Sequence, residues 1–198
     1  MKSIKNKGFT LIELLVVIAI IAVLATVVIL SLNPAELLRQ ARDSNRVSDM
    51  ATLKSALSLY LADVASPVLA SSSGSPYTTV FVTLATTSAP TIPGWGVSAA
   101  YTTSSAAGAT VQRNIDSTGW IPVNFNAISS GAPIGNLPID PTNSGLLYYG
   151  YVATSSNLSF KITSHLESNK YNVSSTGPGY NDGGLSTSTY EQGTNLAL

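Results

Sequence analysis

One carboxylate stands at the beginning of a long apolar run, where an ionised side chain needs a reason to be. Glu13 precedes the segment from Leu14 to Leu32, which contains no charged residue. An ionised side chain at the centre of a membrane helix costs about 2.5 to 3.5 kcal/mol, and the cost is smaller near the helix end. Two interpretations are open: the Glu13 carboxylate is solvated at the membrane surface, or it has a function that requires a charge at this position.

The apolar run around Glu13 is long enough to cross a membrane. Residues 9–32 number 24, which gives about 36 Å as a helix against a hydrocarbon core of about 30 Å. No A-x-A triplet lies between Ala19 and Pro34, so cleavage as an ordinary signal peptide is disfavoured. Three basic side chains precede the run: Lys2, Lys5 and Lys7. The arrangement predicts a basic leader followed by a membrane anchor.

The junction between leader and anchor resembles a known processing signal. Gly8 followed by Phe-Thr-Leu-Ile-Glu and an apolar run resembles the class III signal of type IV pilins and type II secretion pseudopilins. The resemblance implies that a prepilin peptidase cuts after Gly8 and N-methylates Phe9. It also implies that Glu13 meets the terminal amine of a neighbouring subunit during filament assembly. Opposite charges attract strongly in a poorly screened apolar bundle. Pairing with the amine of the same chain, four residues away, is also open.

The composition suits an exported module without catalytic machinery. Loss of residues 1–8 leaves seven basic and ten acidic side chains, so no basic patch indicates nucleic-acid binding, although DNA uptake stays open. The chain has no cysteine and a single histidine, His165, so it has no disulfide and no thiolate metal site. H-E-x-x-H, G-x-S-x-G and phosphate-binding glycine motifs do not occur. We therefore expect a protein that is not an enzyme and that requires no cofactor.

A second helical pattern follows the apolar run. Asn33 can act as N-cap, with Pro34 as the first helical residue and Glu36 as the third, which is close to a capping box. We favour a helix bent at Pro34 over two helices with a non-helical segment between them. An apolar stripe at spacings of three and four predicts an amphipathic helix that packs on a sheet: Met50, Leu53, Leu57, Tyr60, Leu61 and Val64.

Charged residues on this second helix predict surface pairs. Arg39 with Asp43 and Arg46 with Asp49 have the required spacing, and each pair would contribute a few tenths of a kcal/mol. Contacts between filament subunits are the alternative interpretation. The arginines just beyond the span also compete with the leader lysines, so the positive-inside rule leaves the orientation nearly undecided. The resemblance and the composition place the C-terminal part outside the cell membrane.

The remainder predicts a β-rich head. Residues 70–138 predict short strands and loops around apolar anchors, which include Trp95, Trp120, Ile121, Val123, Phe125 and Ile128. Leu146–Ala153 and Leu158–Thr163 predict a hairpin with a polar turn over 154–157. The second strand alternates apolar and polar residues, which predicts one buried and one wet face. The predicted fold class is therefore α+β: a long N-terminal helix, membrane-spanning in its first half and amphipathic in its second, packed on an antiparallel β-sheet.

The head carries a further resemblance, to the major or G-type pseudopilins. Leu137-Pro138-Ile139-Asp140-Pro141, followed by Tyr148-Tyr149-Gly150-Tyr151, resembles their L-P-x-D-P segment and the strand after it, although a proline-stiffened turn capped by Asp140 would explain the L-P-x-D-P residues. That group often holds calcium in a late loop rich in aspartate and glycine. The resemblance makes Asp182 and Asn181 candidate calcium ligands, with a plain glycine turn as the alternative, because calcium takes six to eight oxygens and usually several carboxylates.

Together these patterns predict four segments and a structural function. The segments are a cleaved leader (1–8), a membrane-spanning and filament-core helix (9–32), an amphipathic helix (33–66) and an exported head (67–198). The resemblance implies a filament subunit of a type IV pilus or a type II secretion pseudopilus. Before assembly it lies in the cytoplasmic membrane, with a single pass, and afterwards in a periplasmic or extracellular filament. The implied partners are further copies of the chain, a prepilin peptidase, an inner-membrane platform protein and an assembly ATPase. The alternative is a membrane-tethered adhesin, binding module or minor pilin outside the filament body.

Overall fold

The chain folds into two consecutive helices and a β-rich head. The computed structural model describes residues 8–69, 79–84, 100–103, 111–154, 157–172, 176–184, 186 and 189–198. The leader up to Lys7, the predicted anchor Trp95 and part of the predicted hairpin turn lie outside the described residues. The chain divides into two compact units, residues 1–38 and residues 39–198.

The two helices are separated by a single residue. Helix α1 spans Leu11–Leu32 and helix α2 spans Pro34–Asp63. Asn33 between them has a left-handed backbone with φ 42°, which ends α1. The Glu36 N–H donates to the Asn33 carbonyl at 3.0 Å and to the Asn33 side chain at 3.4 Å. Asn33 therefore caps α2 and Pro34 takes its first position, as predicted. The expectation of one continuous bent helix is wrong, because the left-handed residue interrupts the helical backbone.

In the described part of the head, five strands form one sheet in the spatial order β2-β1-β3-β4-β5. The strands are β1 (Thr79–Val82), β2 (Ala100–Thr103), β3 (Tyr149–Thr154), β4 (Ser159–His165) and β5 (Thr189–Gly193). The pairs β1–β3, β3–β4 and β4–β5 are antiparallel, and the edge strand β2 pairs parallel with β1. The α+β class and the β3–β4 hairpin are confirmed. The parallel edge strand was not predicted, because the long connection that parallel pairing needs leaves no local pattern.

The apolar stripe of α2 and one face of the sheet share the main hydrophobic core. Met50, Leu53, Leu57 and Tyr60 are buried in it, and Leu61 and Val64 pack at its border, so the stripe is confirmed. The sheet contributes Tyr149, Tyr151, Ala153, Phe160 and Ile162. The anchors Trp120, Ile121, Val123, Phe125 and Ile128 are also buried there, as predicted. Each buried large apolar side chain contributes about 1.5 to 3 kcal/mol, so this core positions the helix against the sheet.

The second face of the sheet is covered rather than wet. Val80, Val82, Tyr148, Val152 and Leu198 form a second hydrophobic cluster. Lys161 and Thr163, expected on a wet face, are 0 % and 2 % exposed. The prediction of a wet face is wrong, because the burial of Leu198 shows that the end of the chain lies over this face. Leu158, expected inside, is 39 % exposed and has a left-handed backbone with φ 50° in the turn before β4.

Candidate functional site

The predicted processing site is an exposed, non-helical segment. Gly8, Phe9 and Thr10 precede the first helical residue, Leu11, and all three are exposed. Phe9 is 86 % exposed, and among the described residues no atom outside Gly8 and its chain neighbours lies within 4 Å of the position that a Cβ on Gly8 would take. The peptide bond between Gly8 and Phe9 is therefore accessible to a protease without unwinding of α1.

Glu13 and Thr10 cap the start of α1 together. Thr10 is the N-cap, and its hydroxyl accepts the Glu13 N–H at 3.3 Å. The Glu13 carboxylate accepts the backbone N–H of Thr10 at 2.8 Å and its hydroxyl at 2.7 Å. This reciprocal arrangement is a capping box, which satisfies backbone donors that the first helical turn leaves open. The Glu13 carboxylate, the single charge of the apolar run, is thus bonded to Thr10. Thr10 is the residue next to Phe9, the predicted first residue of the mature chain.

The surface of α1 is apolar, and no other described residue of its unit covers it between Leu11 and Ile29. A stretch of 19 residues, Leu11–Ile29, has a mean hydropathy of 3.1 and no buried side chain. Length and composition would let this helix cross a membrane. An exposed apolar surface of this extent is unfavourable in water and marks a membrane or protein contact. The helix therefore requires lipid or other apolar helices around it.

A second set of charges, in the head, is buried around the Arg46 guanidinium. Arg46 is 0 % exposed, and all five of its N–H donors have acceptors. Asp140 receives two of these bonds, at 2.7 Å from Nε and 3.0 Å from Nη2. Nη1 donates to Asp43 and to Glu167, both at 2.7 Å, and Nη2 donates to the Thr142 hydroxyl at 3.1 Å. We call Arg46, Asp43, Asp140 and Glu167 the Arg46 cluster.

The carboxylates of the Arg46 cluster hold two loops against α2. Asp140 also accepts the N–H groups of Thr142 and Asn143, at 2.7 and 3.1 Å, which confirms the predicted capped turn. Asp43 accepts the N–H groups of two residues that follow β4, Glu167 and Ser168. The cluster therefore joins one turn of α2 to the L-P-x-D-P turn and to the chain after β4. The hydrogen bonds of Arg46 therefore join residues of the head to one another.

The electrostatic consequences follow from this geometry. Burial alone would lower the pKa of Arg46, but hydrogen bonds and charge from Asp140, Glu167 and Asp43 raise that pKa above its ordinary value. A two-point hydrogen bond from Arg42, at 2.7 and 2.9 Å, lowers the pKa of Glu167 to about 2, and Arg46 adds to that effect. Arg46 and Glu167 are therefore both ionised at neutral pH.

The charge pairs expected from helix spacing are partly wrong. Arg46 bonds to Asp43, three residues earlier, instead of Asp49, and neither Arg46 nor Asp43 lies on the surface. Asp49 instead accepts the Tyr149 hydroxyl at 2.7 Å, and burial raises the pKa of the Asp49 carboxyl. The pairing of Arg46 with Asp140 was missed because the two residues are 94 positions apart in the chain. The only sequence signal was the pair of prolines that fixes the turn around Asp140.

The two candidate calcium ligands lie at the end of a short helix, α3 (Pro178–Asn181). The Asn181 amide donates to the Gly177 carbonyl at 3.2 Å. Both oxygens of Asp182 accept backbone N–H groups, from Gly184 at 2.8 Å and from Glu191 at 2.6 Å. In the part of the chain that the structure describes, no group of three or more His, Cys, Asp or Glu side chains is arranged for a metal ion. These residues do not fit a calcium site that needs several free carboxylate oxygens.

The nearest additional carboxylate, Glu191, is bonded to a lysine. Glu191 Oε1 accepts from the Lys161 ammonium at 3.1 Å, and Oε2 accepts the Ser186 N–H at 3.2 Å. The side chains of Lys161 and Glu191 are 0 % and 1 % exposed. Sequence reasoning missed this pair, because the alternation in β4 placed Lys161 on a wet face.

Comparison with known protein families agrees with the N-terminal geometry. Residues 4–29 match the family model of the prokaryotic N-terminal methylation motif. This motif is the class III signal of type IV pilin and pseudopilin precursors, which are structural rather than catalytic proteins. No curated protein and no solved structure matched the chain. The match supports a pilin-like precursor that is processed by a prepilin peptidase and anchored in a membrane before assembly.

Proposed function

We propose that this chain is the structural subunit of a type IV pilus-like or type II secretion pseudopilus filament. A prepilin peptidase cuts after Gly8 and N-methylates Phe9. The mature subunits then leave the cytoplasmic membrane and polymerise through α1, with the head outside. Further partners are an inner-membrane platform protein and an assembly ATPase.

A single observation carries the proposal. An apolar helix, with no buried side chain from Leu11 to Ile29, begins three residues after an accessible Gly8–Phe9 bond, and its one carboxylate, Glu13, lies in the first turn. A tether alone requires the apolar length but not the charge. A filament requires both, because the helices must leave lipid for one another and must stop in a defined register.

The charge of Glu13 can determine the register in which neighbouring helices align. Cleavage after Gly8 creates an amine on Phe9, and that amine is a cation close to Glu13 in its own chain and in neighbouring chains. Inside a bundle of apolar helices the two charges are poorly screened, so a matched pair is strongly favoured over a mismatched one. The Thr10 cap holds the Glu13 carboxylate in place before a partner arrives.

The first part of the test is intact-mass spectrometry of filaments sheared from the host cells. The proposal expects a subunit that begins at Phe9 and carries one additional methyl group. A subunit that retains residues 1–8, or an uncut protein that stays in the membrane, would contradict it and favour a tethered binding module.

The second part compares two glutamates that occupy the same helix position. Glu13 and Glu36 are the third residues of α1 and α2, so Glu13→Gln and Glu36→Gln change one charge in matched local settings. The proposal expects filament counts by electron microscopy to fall at least tenfold for Glu13→Gln, with cleavage retained, and to stay near wild type for Glu36→Gln. Equal counts for the two variants would contradict a role of Glu13 in assembly.

A further inference from the structure

The second face of the sheet contains a buried ion pair that the filament function does not use. Lys161 on β4 and Glu191 on β5 are diagonal neighbours, because Lys161 is opposite Gly193 and Glu191 is opposite Thr163. The Lys161 ammonium lies 3.1 Å from Glu191 Oε1 and 3.3 Å from the Leu196 carbonyl oxygen. Both side chains are withdrawn from solvent.

The pair is also connected to described residues between α3 and β5. Glu191 Oε2 accepts the Ser186 N–H, and the Glu191 N–H donates to Asp182 Oδ2. Asp182 Oδ1 in turn accepts the Gly184 N–H. One connected set of bonds therefore runs from the Lys161 ammonium through Glu191 to the end of α3.

Close packing around Glu191 limits what else can enter. A Cβ added to Gly184 would overlap the Glu191 carboxylate, so the Gly184 backbone lies directly against it. The carboxylate is enclosed by the ammonium on one oxygen and by backbone on the other.

We propose that the Lys161 ammonium is the built-in cation of this loop, and that it takes the structural part that a calcium ion would otherwise supply. A buried carboxylate requires a cation or several hydrogen-bond donors to offset its lost hydration. Lys161 provides that cation from within the chain. The carboxylate oxygens of Glu191 and Asp182 accept hydrogen bonds from Lys161 and from backbone N–H groups. The head folds and keeps its stability without calcium.

The test is thermal unfolding of the full chain in detergent, followed by tryptophan fluorescence, since Trp120 is buried in the head core. The wild type is measured in CaCl2 and in EGTA. The proposal expects the two Tm values to agree within about 1 °C, whereas a calcium-dependent head would lose stability in EGTA by mass action. A Tm that is several degrees lower in EGTA would overturn the proposal, and this result does not depend on any variant folding.

Three variants then test the role of the ammonium. Lys161→Met leaves the Glu191 carboxylate buried without its cation, and we expect Tm to fall by about 10 °C. The matched control is Lys54→Met, because Lys54 also reaches β5 through a bond of 2.9 Å to Gln192 but is only partly buried; its Tm should fall by no more than about 2 °C. Addition of Glu191→Gln to Lys161→Met should recover part of the lost Tm, because no unpaired charge is left in the interior. Equal effects of the two single lysine variants, or a further loss in the double variant, would overturn the proposal.

Discussion

Glu13 and Asp140 are both carboxylates that accept backbone N–H groups, but the rest of their surroundings differ. Glu13 is exposed, and its hydrogen bonds come from Thr10, three residues away. Asp140 is 3 % exposed and receives two hydrogen bonds from Arg46 of a distant helix. The Asp140 charge is neutralised inside the head, whereas the Glu13 charge is neutralised by no cation among the described residues of its unit. A carboxylate that has local hydrogen bonds but no counter-ion among the described residues is available to pair with a cation of another molecule. A carboxylate in a closed cluster stabilises its own fold.

The largest loss of stability is expected from Arg46→Met, which opens the closed cluster around Asp140. Removal of the guanidinium leaves the carboxylates of Asp43, Asp140 and Glu167 close together, so we expect a loss of about 4 kcal/mol in the free energy of unfolding. Urea unfolding of the full chain in detergent, followed by tryptophan fluorescence, measures it. The control is Arg39→Met on the exposed side of the same helix, with an expected change within about 0.5 kcal/mol. Similar losses for both variants would contradict the claim that the buried Arg46 cluster contributes more to the free energy of unfolding than an exposed arginine does.

A smaller loss is expected from Asp140→Asn. The amide keeps one oxygen for the backbone N–H groups of Thr142 and Asn143, but it presents N–H donors to the Arg46 donors. We expect the free energy of unfolding to fall by about 2 kcal/mol in the same urea experiment. Asp116→Asn is the matched control, since Asp116 also caps a local turn through Thr118 but is exposed. If the Asp116 variant lost as much stability as the Asp140 variant, the bonds from Arg46 to Asp140 would not be what stabilises the head.

The smallest of the three effects depends on pH and concerns Glu167. The pKa of Glu167 falls from 4.5 to about 2 in the folded chain, mainly through Arg42. A carboxylate with a lowered folded pKa stabilises the fold above its unfolded pKa, and this contribution is lost as pH falls through the folded value. Glu167→Gln should therefore cost about 1 kcal/mol at pH 7, and the gap between variant and wild type should close between about pH 4.5 and pH 2. A gap that stays constant with pH would show that the charge of Glu167 is not what stabilises the head.

The sequence predicted best what depends on neighbouring residues. The apolar run of α1, the Asn33 cap, the stripe of α2 and the β3–β4 hairpin all follow from local spacing and turn chemistry, and the structure has each of them. The Thr10–Glu13 capping box is also local, and its T-x-x-E pattern can be read directly from the chain.

The failures concern partners that are distant in the chain. Arg46 was assigned to Asp49 because helix spacing shows only near neighbours, whereas its main partner is Asp140. Lys161 was assigned to solvent because alternation in one strand cannot show that residues near 198 cover the other face of the sheet. Calcium ligation by Asn181 and Asp182 remains a prediction from resemblance, and the hydrogen bonds of Asp182 argue against it.

The most direct test of the central claim compares Glu13→Gln with Thr10→Val in filament yield. Glutamine can still complete a capping box, so Glu13→Gln removes the charge and keeps the local cap. Thr10→Val does the reverse, since it removes the capping hydroxyl and leaves the carboxylate. If Glu13 acts between subunits, sheared filaments per cell fall at least tenfold for Glu13→Gln and stay within about twofold of wild type for Thr10→Val, with the precursor cut in both. If Glu13 only caps α1, Thr10→Val loses filaments and Glu13→Gln does not, and that result would contradict the account.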